Sequence, residues 1–242
     1  AVAVFDHGDA PAGISDRKFR FDYLDERIKA KNSLAAFAYL ANEIPPIMTR
    51  LQSVADSAND LNCPLVVMDT APAAVLGATF DPIVAKRARK IIVNVGNFHA
   101  LAFRLGIKGI EGVFEHHTGE IDLQKLEWLL RRLADGLLRN EDVFNDKGHG
   151  ALMYSQEKFE FGKDDFDVVV TGPRRSIFVG ATGQSPLRPY FATPFGDMMI
   201  AGCFGLLAAT AEVLPDLAGP IYGSLREADE RGRGVAPWDN PD

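Results

Sequence analysis

The stretch from residue 90 to residue 119 constrains the fold more than any other part of the chain. An apolar run at 91–95 meets a Gly-Asn turn at 96–97, and a second apolar run follows at 101–105. Gly and Asn tolerate the positive φ angles that short hairpin turns require, so this pattern predicts a β-hairpin. A third apolar run ends in Glu-His-His at 115–117. The predicted sheet therefore carries titratable side chains at its turns and strand ends.

The composition limits the classes of function. Of the 242 residues, 47% are hydrophobic and 24% are charged, as in an ordinary globular protein. The formal net charge of -7 argues against a nucleic-acid partner, because phosphate binding depends on clustered Lys and Arg. No apolar run reaches the length of a membrane span, so we expect no membrane partner. The partner that we expect is a small-molecule ligand.

The two cysteines, Cys63 and Cys203, lie far apart in the sequence. We therefore do not expect a disulfide framework, a structural zinc site or a cysteine-ligated iron–sulfur cluster. Their scarcity predicts a reduced, cytoplasmic compartment.

Two other apolar runs predict buried strands that end in polar turns. Residues 1–5 lead into Asp6 and His7, and residues 64–68 lead into Asp69 and a helix with Pro in its first turn. Strand ends of this kind hold ligands in α/β proteins, although a solvated surface turn explains the same pattern.

The helix predictions follow the spacing of apolar residues. Spacings of three and four from 34 to 61, interrupted by two prolines at 45–46, predict two helices. Residues 122–138 predict an amphipathic helix, and the small residues of 194–213 predict a helix packed closely against another. Residues 17–21 alternate charged and aromatic side chains, which favours a half-exposed strand or a loop edge.

All five histidines lie at predicted turns or strand ends, and an imidazole there can bind a metal or transfer protons. A lone histidine in such a position usually caps a turn or makes a core hydrogen bond instead. Side chains alternate along a strand, so one of the adjacent pair at 116–117 is expected to be structural. The candidate catalytic residues are Asp6, His7, Asp69, His99, Glu115 and His116, with His149 in the same cleft.

Four short motifs resemble the actin-like ATPase superfamily, which includes sugar kinases, acetate kinases and heat-shock chaperones. Residues 69–74 resemble its first connecting helix, 93–99 its second phosphate hairpin, 170–173 its adenosine motif, and 196–202 its second connecting helix. The resemblance implies an α/β, ribonuclease H-like fold that binds ATP and Mg²⁺. The cofactor-binding residues that it implies are Gly96, Asn97, Thr171 and Gly172. Arg174 follows the Gly-containing end of a buried strand, where an arginine either binds phosphate or begins a solvated helix.

The chain departs from this superfamily pattern at several positions. The first phosphate hairpin, an Asp-x-Gly-x-x-Thr motif, has no counterpart, as expected of a truncated chain or a naturally reduced member. Asn94 stands where Asp is usual, and Phe98 and Pro173 reduce backbone access to phosphate. The implied domains are 1–80, the remainder of an N-terminal domain; 81–230, a ribonuclease H-like domain; and 231–242, a loose tail.

A narrower resemblance covers nearly the whole chain. The motifs DTAPAA, NVGNFHALA, FEHHTG, KGHGA and TPFGDMMIAGCFGLL resemble a family of bacterial and archaeal proteins labelled pyruvate formate-lyase activating enzymes. That label implies a radical activase with three closely spaced cysteines, which this chain lacks, so no iron–sulfur cluster is expected.

Three hypotheses about function remain open at this point. The protein binds a nucleotide or phosphorylated small molecule, with phosphotransfer or ATP hydrolysis. Alternatively, it is a metal- or histidine-dependent hydrolase or transferase with a divalent transition metal. The third hypothesis is a catalytically silent binding module.

Overall fold

The structure of this protein is a computed structural model in which residues 1–179 and 185–226 are described. The chain forms two compact units, each assembled from separate stretches of sequence. The first unit contains Ala1–Asp6, Leu34–Lys86 and the described residues from Ala192 onward; the second contains His7–Ser33 and Arg87–Phe191. The loose tail predicted at 231–242 lies outside the described residues.

This division differs from the contiguous domains that the sequence predicts, 1–80 and 81–230. The segment His7–Ser33 belongs with the strands that follow residue 87, and the chain from Ala192 onward belongs with its beginning. Packing between segments distant in sequence decides which unit each segment joins. Local sequence patterns do not predict this packing.

Both units combine helices with strands, so the protein is mixed α/β. The strands are β1 (Val2–Ala3), β2 (Ala38–Leu40), β3 (Val66–Met68), β4 (Lys90–Val95), β5 (His99–Gly106), β6 (Gly109–His117), β7 (Gly150–Met153), β8 (Val168–Thr171) and β9 (Pro189–Phe191). The α-helices are α1 (Asp16–Ala30), α2 (Thr49–Ser57), α3 (Thr70–Ala78), α4 (Pro82–Ala85), α5 (Leu123–Ala134), α6 (Asn140–Phe144), α7 (Ala201–Val213) and α8 (Ala218–Arg226). None of these helices combines the length and apolarity needed to cross a membrane.

The first unit is built on a three-stranded sheet in the order β1-β3-β2. Helices α3 and α7 pack at very short distance in this unit. A Cβ atom at Gly77 would lie 1.7 Å from the carbonyl oxygen of Ala201, and one at Gly205 would lie 1.9 Å from that of Ala73. The close helix contact predicted from the small residues is therefore confirmed. The helix begins at Ala201, later than the predicted start at residue 194.

The second unit is built on a six-stranded sheet in the order β7-β6-β5-β4-β8-β9. Strands β4 to β7 pair antiparallel, whereas β8 runs parallel to β4 and β9 runs parallel to β8. The predicted hairpin is confirmed, because Val95 pairs with Ala100 across the turn and the Gly96 N–H bonds to the carbonyl of His99 at 2.9 Å. This sheet positions most of the candidate site.

Helix α5 covers the core of this unit. Its leucines at 126, 129, 130 and 133 are buried against Ile91, Val93 and Phe114 of the sheet. The Asp122 carboxylate accepts a hydrogen bond from the Lys125 N–H at 2.8 Å and caps the helix start. The helix ends at Ala134, short of the predicted residue 138, since Gly136 adopts a φ of 69° that stops it.

Two predictions of local structure are wrong. Residues 17–21 lie inside helix α1, where Phe21, Leu24 and Ile28 are buried at helical spacing, so the longer period overrides the short alternation. The first helix predicted after Leu34 is instead a 3₁₀ turn followed by β2, and its residues 34–39 are all buried. Burial on every side removes the contrast between faces on which a helix prediction depends. The second predicted helix is confirmed as α2.

Candidate metal centre

Pairing of β5 with β6 explains which histidines share a face of the sheet. His99 lies opposite His117, and Glu115 lies two residues before His117 in β6. Successive side chains of a strand point to opposite faces, so His99, Glu115 and His117 share one face and His116 faces the other way. The sequence leaves open which of the adjacent histidines is structural, and the register decides that it is His116.

His149 reaches the same face from the start of β7. Its N–H bonds to the carbonyl oxygen of Glu115 at 2.9 Å, and the next residue, Gly150, pairs with Glu115. Gly150 has a φ of 151°, and a Cβ there would lie 2.5 Å from the Asn140 Oδ1 atom. Only glycine therefore fits where the chain turns His149 towards the sheet.

His7 completes the group from the segment before α1. Its Nε2 atom lies 3.2 Å from Glu115 Oε1. The His7 ring centroid lies 4.6 Å from that of His99 and 4.7 Å from that of His149. One nitrogen from each of these histidines and one Glu115 oxygen all lie within 4.8 Å of one another. We refer to these four residues as the His/Glu cluster.

Two arginines of helix α1 support the cluster. Arg20 is buried, and its Nε donates to Glu115 Oε2 at 3.1 Å. Arg17 lies one turn earlier, and its Nη1 donates to the carbonyl oxygens of Phe144 and Gly148, each at 2.9 Å. Arg20 therefore holds the carboxylate, and Arg17 holds the turn that delivers His149.

The protein environment keeps the cluster in a form that can bind a metal. Burial lowers the pKa of His99 to about 4 and the pKa of His149 to about 3. Burial also raises the pKa of Glu115, but the Arg20 guanidinium and the His7 hydrogen bond outweigh it and hold that pKa well below its ordinary value. His99 and His149 are thus neutral and Glu115 is charged at neutral pH, as metal ligands must be.

His149 has an unusual environment for a buried polar side chain. It is 3% exposed, and within residues 1–179 and 185–226 neither ring nitrogen has a hydrogen-bond partner. A buried imidazole normally bonds through at least one nitrogen, and an unsatisfied polar group costs about 1–3 kcal/mol. A bound ion would satisfy one of these two nitrogens.

The dimensions of the cluster suit a single ion. Two ligands on opposite sides of an ion at about 2.1 Å each lie about 4.2 Å apart. The observed limit of 4.8 Å exceeds this by about 0.6 Å, so small side-chain rotations would close the shell. Imidazole and carboxylate ligands together favour zinc, iron, manganese, cobalt or nickel over Ca²⁺ or Mg²⁺.

The cluster has a buried floor and an accessible rim. Glu115 and His149 are buried, whereas His7 and His99 are half-buried. His117 is also half-buried, and its ring lies 4.9 Å from that of His99 and 4.8 Å from that of His149. A small molecule can therefore approach from the side that carries these three histidines.

Four of the predicted site residues, His7, His99, Glu115 and His149, come together. His116 does not join them: its Nε2 lies 3.2 Å from Asp146 Oδ2 on the other face of β6. Asp6 and Asp69 belong to the first unit. There Asp6 accepts hydrogen bonds from the N–H groups of residues 50 and 51, at the start of α2, and Asp69 is the residue before α3.

The residues predicted to bind nucleotide lie at the carboxyl ends of β4 and β8. Gly96 follows β4, and Thr171, which is buried, ends β8. Gly96 and Gly172 each make a close contact with the protein's own backbone that a larger residue would block. A Cβ at Gly172 would lie 2.5 Å from the Val95 carbonyl oxygen, and one at Gly96 would lie 2.7 Å from that of His99. Asn97 and Arg174 are exposed.

Sequence reasoning missed both supporting arginines. Reading residues 17–21 as extended chain places Arg17 and Arg20 on opposite faces, whereas a spacing of three puts them on one face of a helix. The available signal was the apolar period that continues through Leu24 and Ile28.

Comparison with known proteins places the chain in a family. A family model described as "Putative pyruvate format-lyase activating enzyme (DUF1786)" matches residues 1–177. No curated protein matches the chain. The matched stretch contains the whole His/Glu cluster and both arginines of α1. Since the match covers well over half of the 242 residues, the chain belongs to the family of that description.

Proposed function

We propose that this protein is a metal-dependent enzyme, a hydrolase or transferase, whose ion is held by His7, His99, Glu115 and His149. The observation that carries the proposal is the meeting of these four ligand atoms within 4.8 Å around a buried His149. Polar groups without partners in a protein interior mark strain, catalysis or a missing ion. Here the remaining ligands are in place around the histidine.

The surroundings support a ligand role for each residue. Protons do not compete for His99 or His149 near neutral pH, because burial lowers the pKa of each imidazole. Arg20 occupies one oxygen of Glu115 and leaves Oε1 beside His7. Supporting groups of this kind orient metal ligands, and their loss typically costs 10- to 100-fold in metal affinity.

A divalent ion at this position would supply two kinds of chemistry. It lowers the pKa of a bound water towards neutrality, and it polarises a carbonyl or phosphoryl oxygen. The chain's own contribution is to fix the ligands, to exclude water from the floor of the site and to leave the rim accessible.

The test is metal analysis of the purified protein, followed by removal of metal with a chelator and titration with Co²⁺. We expect about one ion per chain and visible absorption from bound cobalt. His149→Ala should lose the ion, and His116→Ala should keep it, since His116 faces the opposite side of β6. Absence of binding by every divalent transition metal in the folded protein would refute the proposal.

The family description suggests a radical activating enzyme, and the residues do not fit that chemistry. Its cluster needs three cysteine ligands close together, whereas this chain has two cysteines, Cys63 and Cys203, both exposed and free. We therefore derive no reaction through an iron–sulfur cluster.

Nucleotide binding is a second candidate, with an actin-like ATPase, ribonuclease H-like architecture for the second unit. Its support is an antiparallel meander continued by two parallel strands, with Gly-containing turns at the carboxyl ends of the parallel pair β4 and β8. Ligands of α/β proteins bind at such strand ends. Calorimetric titration with ATP and Mg²⁺ tests this candidate, and Thr171→Val should weaken any binding observed.

A further inference from the structure

The number of ligands in the His/Glu cluster limits which metal ion it can bind. Arg20 binds Glu115 Oε2 at 3.1 Å, so Oε1, which lies 3.2 Å from His7 Nε2, is the oxygen left to act as a ligand. The cluster therefore offers four ligand atoms: three ring nitrogens and one carboxylate oxygen. Four protein ligands fill the shell of a tetrahedral ion, whereas catalytic zinc sites keep three and leave the fourth position open.

A closed tetrahedral site has no evident purpose in this unit. Structural zinc stabilises small domains that cannot build a sufficient core. The second unit has a core of its own, in which Val93, Phe114 and Leu130 are fully buried. The cluster is also accessible on one side, because the His7 side chain is 19% exposed and His99 and His117 are half-buried.

On the basis of the proposed metal centre, we infer that its ion takes five or six ligands, as Fe²⁺, Mn²⁺, Co²⁺ and Ni²⁺ do. The ion then has a free coordination position on the side of His117. The His99 and His149 rings each lie within 5 Å of both His7 and His117. His7 and His117 thus flank this central pair. His7 lies beside the Glu115 carboxylate, and His117 borders the free position, where it can contact a substrate group bound to the ion.

Cobalt spectroscopy of the metal-depleted, reloaded full chain tests this inference. Five- and six-coordinate Co²⁺ absorbs weakly in the visible range, whereas tetrahedral Co²⁺ absorbs strongly. We expect a weak spectrum that changes on addition of azide, a small anion that binds free positions on metal ions. A strong spectrum that azide leaves unchanged would overturn the inference and leave the metal centre itself standing. Absence of cobalt binding would refute the metal centre and the inference together.

A variant locates the free position. His117→Ala should retain one Co²⁺ per chain, because His117 is not among the four ligands. Its azide affinity should fall about fivefold, as expected from the loss of one hydrogen bond. Loss of cobalt binding in this variant would show that His117 is a ligand and would overturn the assignment. An unchanged azide affinity would overturn the placement of the free position beside His117.

Discussion

Replacing His149 with Leu should change stability in opposite directions with and without metal. Leu has a similar volume and no polar atoms. In the metal-free protein, His149→Leu removes two buried ring nitrogens that lack partners among the described residues, so the variant should gain about 1–2 kcal/mol. In the wild type, an ion present at 100 times its dissociation constant stabilises the folded state by about 2.7 kcal/mol, a gain that the variant should lose.

The assay is thermal and denaturant unfolding of both proteins, with chelator and with saturating Co²⁺. For a chain of this size, 1 kcal/mol corresponds to about 2–4 °C in Tm. The variant should therefore melt a few degrees above the wild type in chelator and below it in cobalt. His116→Leu is the matched control, because His116 is also buried but lies within 3.2 Å of Asp146 Oδ2. It should be destabilised by about 1 kcal/mol in both conditions.

A metal-free His149→Leu variant clearly less stable than the wild type would refute this reasoning. Such a result would mean that His149 makes a favourable polar contact that the geometry does not show.

Three further predictions follow from other parts of the structure. Arg17→Met should weaken metal affinity by about 10- to 100-fold, because the turn that delivers His149 loses its two hydrogen bonds from Arg17. Cobalt titration measures this affinity, and an unchanged value would show that Arg17 does not support the site. The metal-free protein should lose stability as pH falls from about 6.5 to about 3. Burial lowers the pKa values of His149 and His99, so the unfolded chain binds protons that the folded state excludes. His149 alone should lower the free energy of unfolding by about 1–2 kcal/mol between pH 7 and pH 5. A free energy of unfolding that does not change with pH would contradict the burial argument. Gly205→Ala should destabilise the first unit by about 1–3 kcal/mol, since its Cβ would lie 1.9 Å from the Ala73 carbonyl oxygen; a denaturant midpoint equal to that of the wild type would show that α3 and α7 can separate without cost.

Local sequence patterns predicted the parts of the fold in which one segment carries its own signal. The hairpin at 91–105 follows from two apolar runs around a Gly-containing turn, and α5 follows from leucines at helical spacing after an Asp cap. The helix prediction failed at 34–39, where all six residues are buried, so the apolar spacing there does not mark one face of a helix. Local patterns also failed at 17–21, because five residues are too few to separate a strand from the first turn of a helix.

The amino-acid sequence by itself determined the chemistry available to the protein. It supplies five histidines at turns and strand ends, too few cysteines for an iron–sulfur cluster, and alternation that separates His116 from His117. Tertiary structure decided which of these groups meet. Strand register brings His99 and Glu115 to one face, and the turn before β7 adds His149. His7 arrives from a segment 108 residues from Glu115. The physical reason is that ligand distances depend on pairing and packing between segments far apart in sequence, and no local pattern encodes those distances.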